Sequence, residues 1–413
     1  MTGEPGVLVI GAGVTGMKAS LLLADAGRKV WLVESTSVTG GNLIRCEDVF
    51  TGMECATCMV SPMQQEVLRH GMIEVMTLAR VTSVEGSRDA GYRVAVRQDP
   101  SFVDPVACIG CGECWGACPV ELPNAFEEGM GSRKAISVPC AGALPNVPWI
   151  DRSACRRWTG EDPDCTLCSE ACVFEAIDYA SEGRDLQLDV TDIIVATGSA
   201  MPDPATLSPL GWGTVPGVFT AMEFERLYAS NGPTSGEIVL RDGRVPSSAA
   251  VLVHADPSGS ASFSHLNSLC ALKYVHYLHH KVPGISVTLV TDNLCTPGRD
   301  SQRFHERVAD EGTSVVRSPS ADRISVEADG EAVAVSFESG SESVGLLTDM
   351  LILVPPVIPS SGTAEMRGVL GSAGDGGVTF AGTAAGMADV AQCTVSASAA
   401  VAAVLGGGRG SDL

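Results

Sequence analysis

The chain has 413 residues, 45 % of them hydrophobic, with 27 basic against 49 acidic side chains and a formal charge of −22 at pH 7. At roughly 100–200 residues per domain, that is material for two or three domains with full cores. So acidic a surface repels nucleic-acid phosphate and anionic membrane faces alike, which argues against both as partners. No apolar run reaches the ~18 residues a spanning helix needs, because Leu346–Pro359 is interrupted by Asp349 and three prolines. Met1-Thr-Gly-Glu-Pro has neither the basic nor the apolar region of a secretion signal, so the expectation is a cytoplasmic protein without direct membrane insertion.

In chain order, Val7–Ile10 reads as a buried strand, Gly11-Ala-Gly-Val-Thr-Gly16 as a tight turn, and Met17–Ala26 as a helix closed by Gly27. Val30–Val33 is the next strand, ending at Glu34. A Gly-, Met- and Cys-rich segment (40–63) leads to a helix ending near His70, and Tyr92–Arg97 alternates as a strand does. From Cys108 to Cys172 periodicity disappears and Cys, Gly and Pro dominate, the texture of a small inserted domain. Asp192–Ala196 is a strand that ends in Thr197-Gly198, and a Pro/Gly-rich loop occupies 202–217. A second α/β stretch follows, with strands Ala249–Val253 and Ile285–Val290 around a helix near 263–280. Ile324–Phe337 reads as a hairpin turning at Asp329-Gly330, and Leu346–Val354 as one buried strand. Val378–Gly382 leads to an Ala-rich helix near 388–404, and 406–413 reads as a disordered tail.

Gly-x-Gly-x-x-Gly is weak evidence alone, but here it joins a strand to a helix, and Glu34 follows Gly16 by 18 residues at the end of the second strand. Gly11, Gly13 and Gly16 permit a tight turn, close pyrophosphate approach and close helix packing. The helix N-terminus attracts the phosphates, and Glu34 would hold a ribose hydroxyl. Gly40-Gly41, Thr197-Gly198 and Gly382 complete the pattern of proteins that enclose FAD, which favours FAD over NAD. Val251-Leu-Val-His-Ala-Asp-Pro-Ser-Gly lacks the glycines of a nicotinamide fingerprint, so the second α/β stretch reads as a degenerate nucleotide site.

Fifteen cysteines, twelve of them between Cys46 and Cys172, point to metal ligation in a compartment that keeps thiols reduced. Cys108-x2-Cys111-x2-Cys114-x3-Cys118-Pro119 has the three-plus-one spacing in which three thiolates wrap one [4Fe–4S] cage and the fourth reaches a neighbour. Zinc, the competing metal, rarely uses that spacing. Cys155-x9-Cys165-x2-Cys168-x3-Cys172 is an irregular partner quartet, in which Val173 stands where the motif has proline. Cross-ligation would assign Cys108, Cys111, Cys114 and Cys172 to one cluster and Cys118, Cys155, Cys165 and Cys168 to the other. Cys140 lies outside both and reads as a buried apolar residue. Cys55-Ala-Thr-Cys58, with Cys46 upstream, is open among packing, a metal or cluster site and a redox dithiol.

A flavin fingerprint, an inserted ferredoxin-like segment and returning flavin elements together resemble the family of heterodisulfide reductase A subunits from about Val7 to Leu405. The matching stretches include Cys55-Ala-Thr-Cys58, Cys108-Ile-Gly-Cys-Gly-Glu-Cys, Cys118-Pro-Val-Glu-Leu-Pro-Asn124, Ile193-Ile-Val-Ala-Thr-Gly198, Glu225-Arg-Leu227 and Asn231-Gly-Pro-Thr234. Size, Thr296-Pro-Gly-Arg299 and the irregular quartet are most similar to its short forms, such as the A subunit of the quinone-interacting membrane-bound oxidoreductase complex. Phe263-Ser-His-Leu-Asn-Ser-Leu-Cys270 stands where the family often has cysteines for a further cluster, which implies that this cluster is absent.

The resemblance implies an α/β, two-dinucleotide-binding flavoprotein fold of thioredoxin-reductase type with an inserted ferredoxin-like α+β domain. Its expected parts are a FAD-binding domain (1–100, 183–245 and 346–405), the insertion (101–182), and the second α/β domain (246–345). It also implies a catalytic Lys273 near the flavin, and an anaerobic electron-transfer subunit in which FAD converts two-electron to one-electron transfer. Partners would be other flavin and iron–sulfur subunits and, in quinone-linked relatives, a sulfur-metabolism reductase and a membrane haem subunit. Competing readings are a flavin-based bifurcating subunit, as in heterodisulfide or benzoyl-CoA reductase assemblies, and an NAD(P)H-dependent disulfide reductase using Cys55 and Cys58.

Overall fold

The computed structural model describes residues 5–253, 255–256, 265–339, 341–371 and 376–406. The chain divides into two compact units, one of 1–44, 57–199 and 359–413 and one of 45–56 and 200–358. Among the described residues no helix is long and apolar enough to cross a membrane.

The first unit begins with β1 (Gly6–Ile10), α1 (Val14–Asp25) and β2 (Val30–Val33), followed by α2 (Ala56–Arg69) and β3 (Ile73–Met76). β4 (Ala79–Ser87) and β5 (Gly91–Gln98) form an antiparallel ribbon. The long strand β6 (Arg184–Val195) joins the layers, pairing antiparallel with β5 through its first half and parallel with β1 through its second. β1 is buried along its whole length because the sheet is covered on both faces, and five consecutive apolar or Gly positions suit such a strand.

The structure starts α1 at Val14, inside the glycine motif, rather than at Met17. The reason is Gly16: a Cβ there would lie 1.9 Å from the Gly11 carbonyl, so this turn of helix can rest on the strand end only as glycine. α2 likewise starts earlier than its sequence pattern, at Ala56, which puts Cys58 in its first turn.

Within the insertion only short helices form, α3 (Glu113–Ala117), α4 (Arg156–Thr159) and α5 (Leu167–Glu170). Its core is small, built on Phe102, Val103, Cys114, Ile136, Ile150 and Ala176, with most of the cysteines packed against it.

The second unit carries β7 (Val218–Thr220), α6 (Ala221–Tyr228), β8 (Ser248–Val253), α7 (His265–Lys281), β9 (Ser286–Thr291), α8 (Arg299–Ala309) and β10 (Ser314–Arg317). The meander β11 (Ser325–Asp329), β12 (Ala332–Ser339) and β13 (Glu342–Thr348) follows, then β14 (Met350–Val354). The main sheet is parallel in the order β7-β14-β8-β9-β10. The expected hairpin turns at Gly330, whose φ is +61°, between the paired residues Asp329 and Ala332.

One sequence expectation is corrected here. Leu346–Val354 is two strands, because the Asp349 carboxylate accepts the Ser247 and Ser248 amides (2.7 and 3.1 Å) and the Ser247 hydroxyl (2.7 Å). Those hydrogen bonds hold the Asp349 carboxyl below its usual range. β14 lies inside the second sheet, between β7 and β8, and by compactness 200–245 and 346–358 fall in the second unit.

The chain returns to the first unit with α9 (Ser361–Leu370), β15 (Val378–Phe380) and α10 (Val390–Leu405). β15 adds to β6 in parallel, and α10 packs on α1. The tail expected at 406–413 lies outside the described residues beyond Gly406, as do His254 and 257–264 of the degenerate fingerprint and the start of the replaced cysteine run.

Candidate flavin and cluster sites

The dinucleotide cradle forms where the carboxyl ends of β1, β2, β6 and β15 meet in the first unit. Gly11 has φ +101°, and a Cβ on it would lie 2.4 Å from the Ala196 carbonyl. Gly41 presses on Gly13, where an added Cβ would come within 2.9 Å of the Gly13 Cα, and the Gly40 amide donates to the Ala12 carbonyl at 2.8 Å. Gly382 has φ +61°, and a Cβ there would meet the Thr15 hydroxyl at 2.2 Å. The structure thus brings Gly11, Gly13, Gly16, Gly40, Gly41 and Gly382 to one end of the sheet, beside an α1 N-terminus that, among the described residues, no side chain caps. Its unpaired amides suit a pyrophosphate.

Thr197 and Gly198 sit on the same rim but make internal bonds. The Thr197 and Thr363 hydroxyls are 2.7 Å apart, and the Ser360 hydroxyl and amide donate to the Thr197 and Gly198 carbonyls. Glu34 does more than the sequence suggests. One oxygen accepts the Ala12 amide inside the glycine loop and the other the Thr36 amide, both at 2.8 Å. A carboxylate has about four acceptor positions, so the oxygen facing Ala12 keeps capacity for a ribose hydroxyl.

Gly13 separates folding from binding. A Cβ there meets nothing closer than Gly41 Cα at 3.9 Å, and its backbone is extended. Gly13→Val is expected to fold with an unchanged circular-dichroism spectrum while retaining less than about a tenth of the wild-type flavin, read by absorbance after desalting. Gly16→Ala is expected to lower the yield of folded protein instead.

Eight cysteines of the insertion line two pockets. One is walled by Cys108, Cys111, Cys114 and Cys172, with Ile109, Trp115, Phe174 and Ile177 among its other residues. The other is walled by Cys118, Cys155, Cys165 and Cys168, with Ile136, Ile150 and Tyr179. These are the two cross-paired sets. The chain leaves the first pocket through α3, turned by Gly112 at φ +94°, and the Cys118 amide bonds the Trp115 carbonyl at 3.2 Å, directing this fourth cysteine into the second pocket.

Backbone amides of Gly110 and Ala176 approach Cys108 Sγ and Cys172 Sγ at 3.4 Å each, and the Tyr179 hydroxyl lies 3.1 Å from Cys168 Sγ. Such donors favour negative sulfur. Burial pushes the Cys114 thiol up to about 12, and negative charge on Cys108, Cys168 or Cys111 pushes the same way. Burial also raises Cys155 and Cys168. Four such thiols ionise together only against a compensating cation, which is the chemistry of an iron–sulfur cage. Among the described residues no three His, Cys, Asp or Glu side chains converge tightly enough to share a single metal ion. A cubane asks for one thiolate per iron, so thiols spread around a cavity wall fit it.

Cys140 is half-buried rather than buried and lines neither pocket. Cys55 and Cys58 are exposed. Lys273, expected beside the flavin, is a buried residue of the second unit, 3 % exposed, with Nζ 2.6 Å from Glu225 Oε2 and 3.2 Å from the Asp48 carbonyl. Burial pulls its amine down, but the Glu225 carboxylate more than offsets this, and the net direction is up. Glu225 also accepts the Glu47 amide at 3.0 Å, while the fully buried Arg226 donates to the Arg45 carbonyl and to Asn231 Oδ1. In the sequence Glu225-Arg-Leu227 and Asn231 stand only as family markers. The alternation of charge with apolar residues on α6 is the one signal that could have suggested an internal ion pair.

Residues 6–51 match the family model described as FAD binding domain. The chain is 30 % identical to the A subunit of the H(2):CoB-CoM heterodisulfide,ferredoxin reductase of Methanothermobacter marburgensis, across 96 % of this chain and 62 % of that protein. It is 32 % identical to the A subunit of the Ferredoxin/F(420)H(2)-dependent CoB-CoM heterodisulfide reductase of Methanosarcina acetivorans, across 82 % of this chain and 42 % of that one. The chain thus spans less than two thirds of the length of these curated relatives. Among solved structures, Lactococcus lactis thioredoxin reductase superposes with a TM-score of 0.53 at 13 % identity, covering 98 % of this chain and 99 % of that one. T. acidophilum thioredoxin reductase gives 0.50 at 10 %, with 97 % of each chain covered. The fold is that of two-dinucleotide-binding flavoproteins of the thioredoxin reductase type.

Proposed function

We propose, starting from a resemblance to the A subunits of heterodisulfide reductases that runs through 96 % of the chain, that this protein is an FAD- and iron–sulfur-containing electron-transfer subunit of a multi-subunit oxidoreductase. The observation that carries the reading is the pair of four-cysteine pockets lying in the same compact unit as the dinucleotide cradle. Bound FAD would supply paired-electron chemistry and two [4Fe–4S] clusters single-electron steps.

The chain's residues divide the work. Gly11, Gly13 and Gly16 leave room for the pyrophosphate, and Glu34 fixes the loop through Ala12 while facing the ribose. Cys108, Cys111, Cys114 and Cys172 would hold one cluster, and Cys118, Cys155, Cys165 and Cys168, which line the second pocket, the other. The Gly110 and Ala176 amides moderate the charge on sulfur, which raises a cluster's potential. Lys273 is the proposed cation that favours reduced flavin, so Lys273→Met lowers the flavin potential. Other members of the complex are the proposed donors and acceptors, and the acidic surface favours partners with basic faces.

Anaerobically purified protein is expected to contain about one FAD and about eight iron per chain, read by flavin release and iron assay. Mixing with NADH or NADPH is expected to leave the flavin absorbance unbleached. Iron-free protein after reconstitution would sink the cluster reading, and rapid bleaching by NADPH would favour the disulfide reductase.

A further inference from the structure

Around the pocket walled by Cys108, Cys111, Cys114 and Cys172 the surface is apolar where a soluble protein is usually polar. Val106 is 92 % exposed, Val173 81 %, Ile109 62 % and Phe174 44 %. They come from two segments that lie side by side, since Val103 bridges Ile177, the Asp104 amide donates to the Ala176 carbonyl, and Cys108 and Cys172 share the pocket. Cys111, a wall of that pocket, is itself exposed at the surface.

The two segments carry one sign of charge. Neither 99–132 nor 158–183 contains a lysine or arginine, whereas Asp104, Glu113 and Glu175 are exposed beside the apolar residues. An apolar centre inside a charged rim is the anatomy of a protein-docking site. We propose that this patch is the docking face for a one-electron redox protein with an apolar contact surface and a basic rim. The proposal rests on the cluster reading: each encounter moves one electron between the group held at this pocket, at its Cys111 edge, and the partner's redox centre, one being oxidised as the other is reduced.

Cytochrome c, basic around an exposed haem edge, is a suitable probe. Calorimetry on the anaerobically purified protein at low ionic strength should give weak binding to ferric cytochrome c, loosening as salt rises. Val106→Lys with Val173→Lys is expected to weaken binding at least tenfold, and Val106→Ser with Val173→Ser several-fold. Val395→Lys, on the exposed face of α10 and outside both segments, should leave it within twofold. The rate of haem reduction by dithionite-reduced, desalted protein should fall with binding, while reduction of neutral benzoquinone stays unchanged.

Equal binding by the patch variants and the wild type would overturn the proposal. So would a change in the protein's own sedimentation coefficient on substitution, since the patch would then cover a second copy of this chain. Iron content keeps the two readings apart: a binding difference in iron-free protein upholds the face and removes the cluster, and full iron with no binding difference does the reverse.

Discussion

Cys118→Ser is expected to cost the same cluster as Cys165→Ser, although Cys118 belongs by sequence to the Cys108–Cys114 run. Cys172→Ser should pair with Cys111→Ser in the same way. Each substitution should remove up to about four of eight iron atoms. The signals lost from the electron paramagnetic resonance spectrum of reduced protein should match within each pair and differ between pairs. The geometry behind this is the exchange of last cysteines. α3 ends at Ala117, and Cys118 turns away from Cys114 into the pocket of Cys155, Cys165 and Cys168. Cys172, four residues after Cys168, closes the other pocket. If Cys118→Ser and Cys111→Ser gave one spectrum and Cys172→Ser and Cys165→Ser the other, each quartet would be contiguous in sequence and the cross-paired pockets would be misread.

The grouping of the pocket linings is the one the spacing predicts, since three cysteines within seven residues can wrap one corner of a cage and chain stiffness then throws the fourth outward. The nine-residue gap after Cys155 did not spoil it. That gap holds the single turn of α4 and returns, with the Asp162 amide on the Arg156 carbonyl and the Cys165 amide on Asp162. The glycine cradle was legible for a related reason: at Gly11, Gly16, Gly40, Gly41 and Gly382 crowding leaves no room for a Cβ, whereas Gly13 has that room and is kept open for the ligand.

What the sequence hid is long-range. Leu346–Val354 looks like one apolar strand, and only the Ser247–Ser248 amides that claim Asp349 divide it. The segment 45–56 looks like part of the flavin domain by position, yet it belongs to the second unit, held there by Glu225, Arg226, Lys273 and Tyr277 through its own backbone groups. Backbone amides and carbonyls carry no side-chain signature, so no pattern in 45–56 announces these bonds.

That buried network yields the remaining large effect. Glu225→Gln or Lys273→Met alone is expected to destabilise the folded chain by about 3–5 kcal/mol, because each leaves one charge buried without its partner. The double variant should lose much less than the sum, since a neutral amide and a thioether bury at lower cost. Thermal unfolding of the four proteins gives the cycle, and additive losses would mean the pair is not coupled.

The pH dependence separates the single variants. In the wild type Lys273 is raised above its ordinary 10.5, so the pair's contribution is complete below that pH and declines only as pH rises through the higher folded value. In Glu225→Gln the largest influence left on Lys273 is burial, which depresses the amine, and with a depressed value the unfolded chain binds more protons than the folded one. Its deficit should therefore shrink as pH rises from 7 towards 10. Flavin potential adds the functional half of the test. Lys273→Met should lower it and Glu225→Gln, which strips the ammonium of its counter-charge, should raise it, whereas a lysine acting only as a structural tether would leave both potentials at the wild-type value.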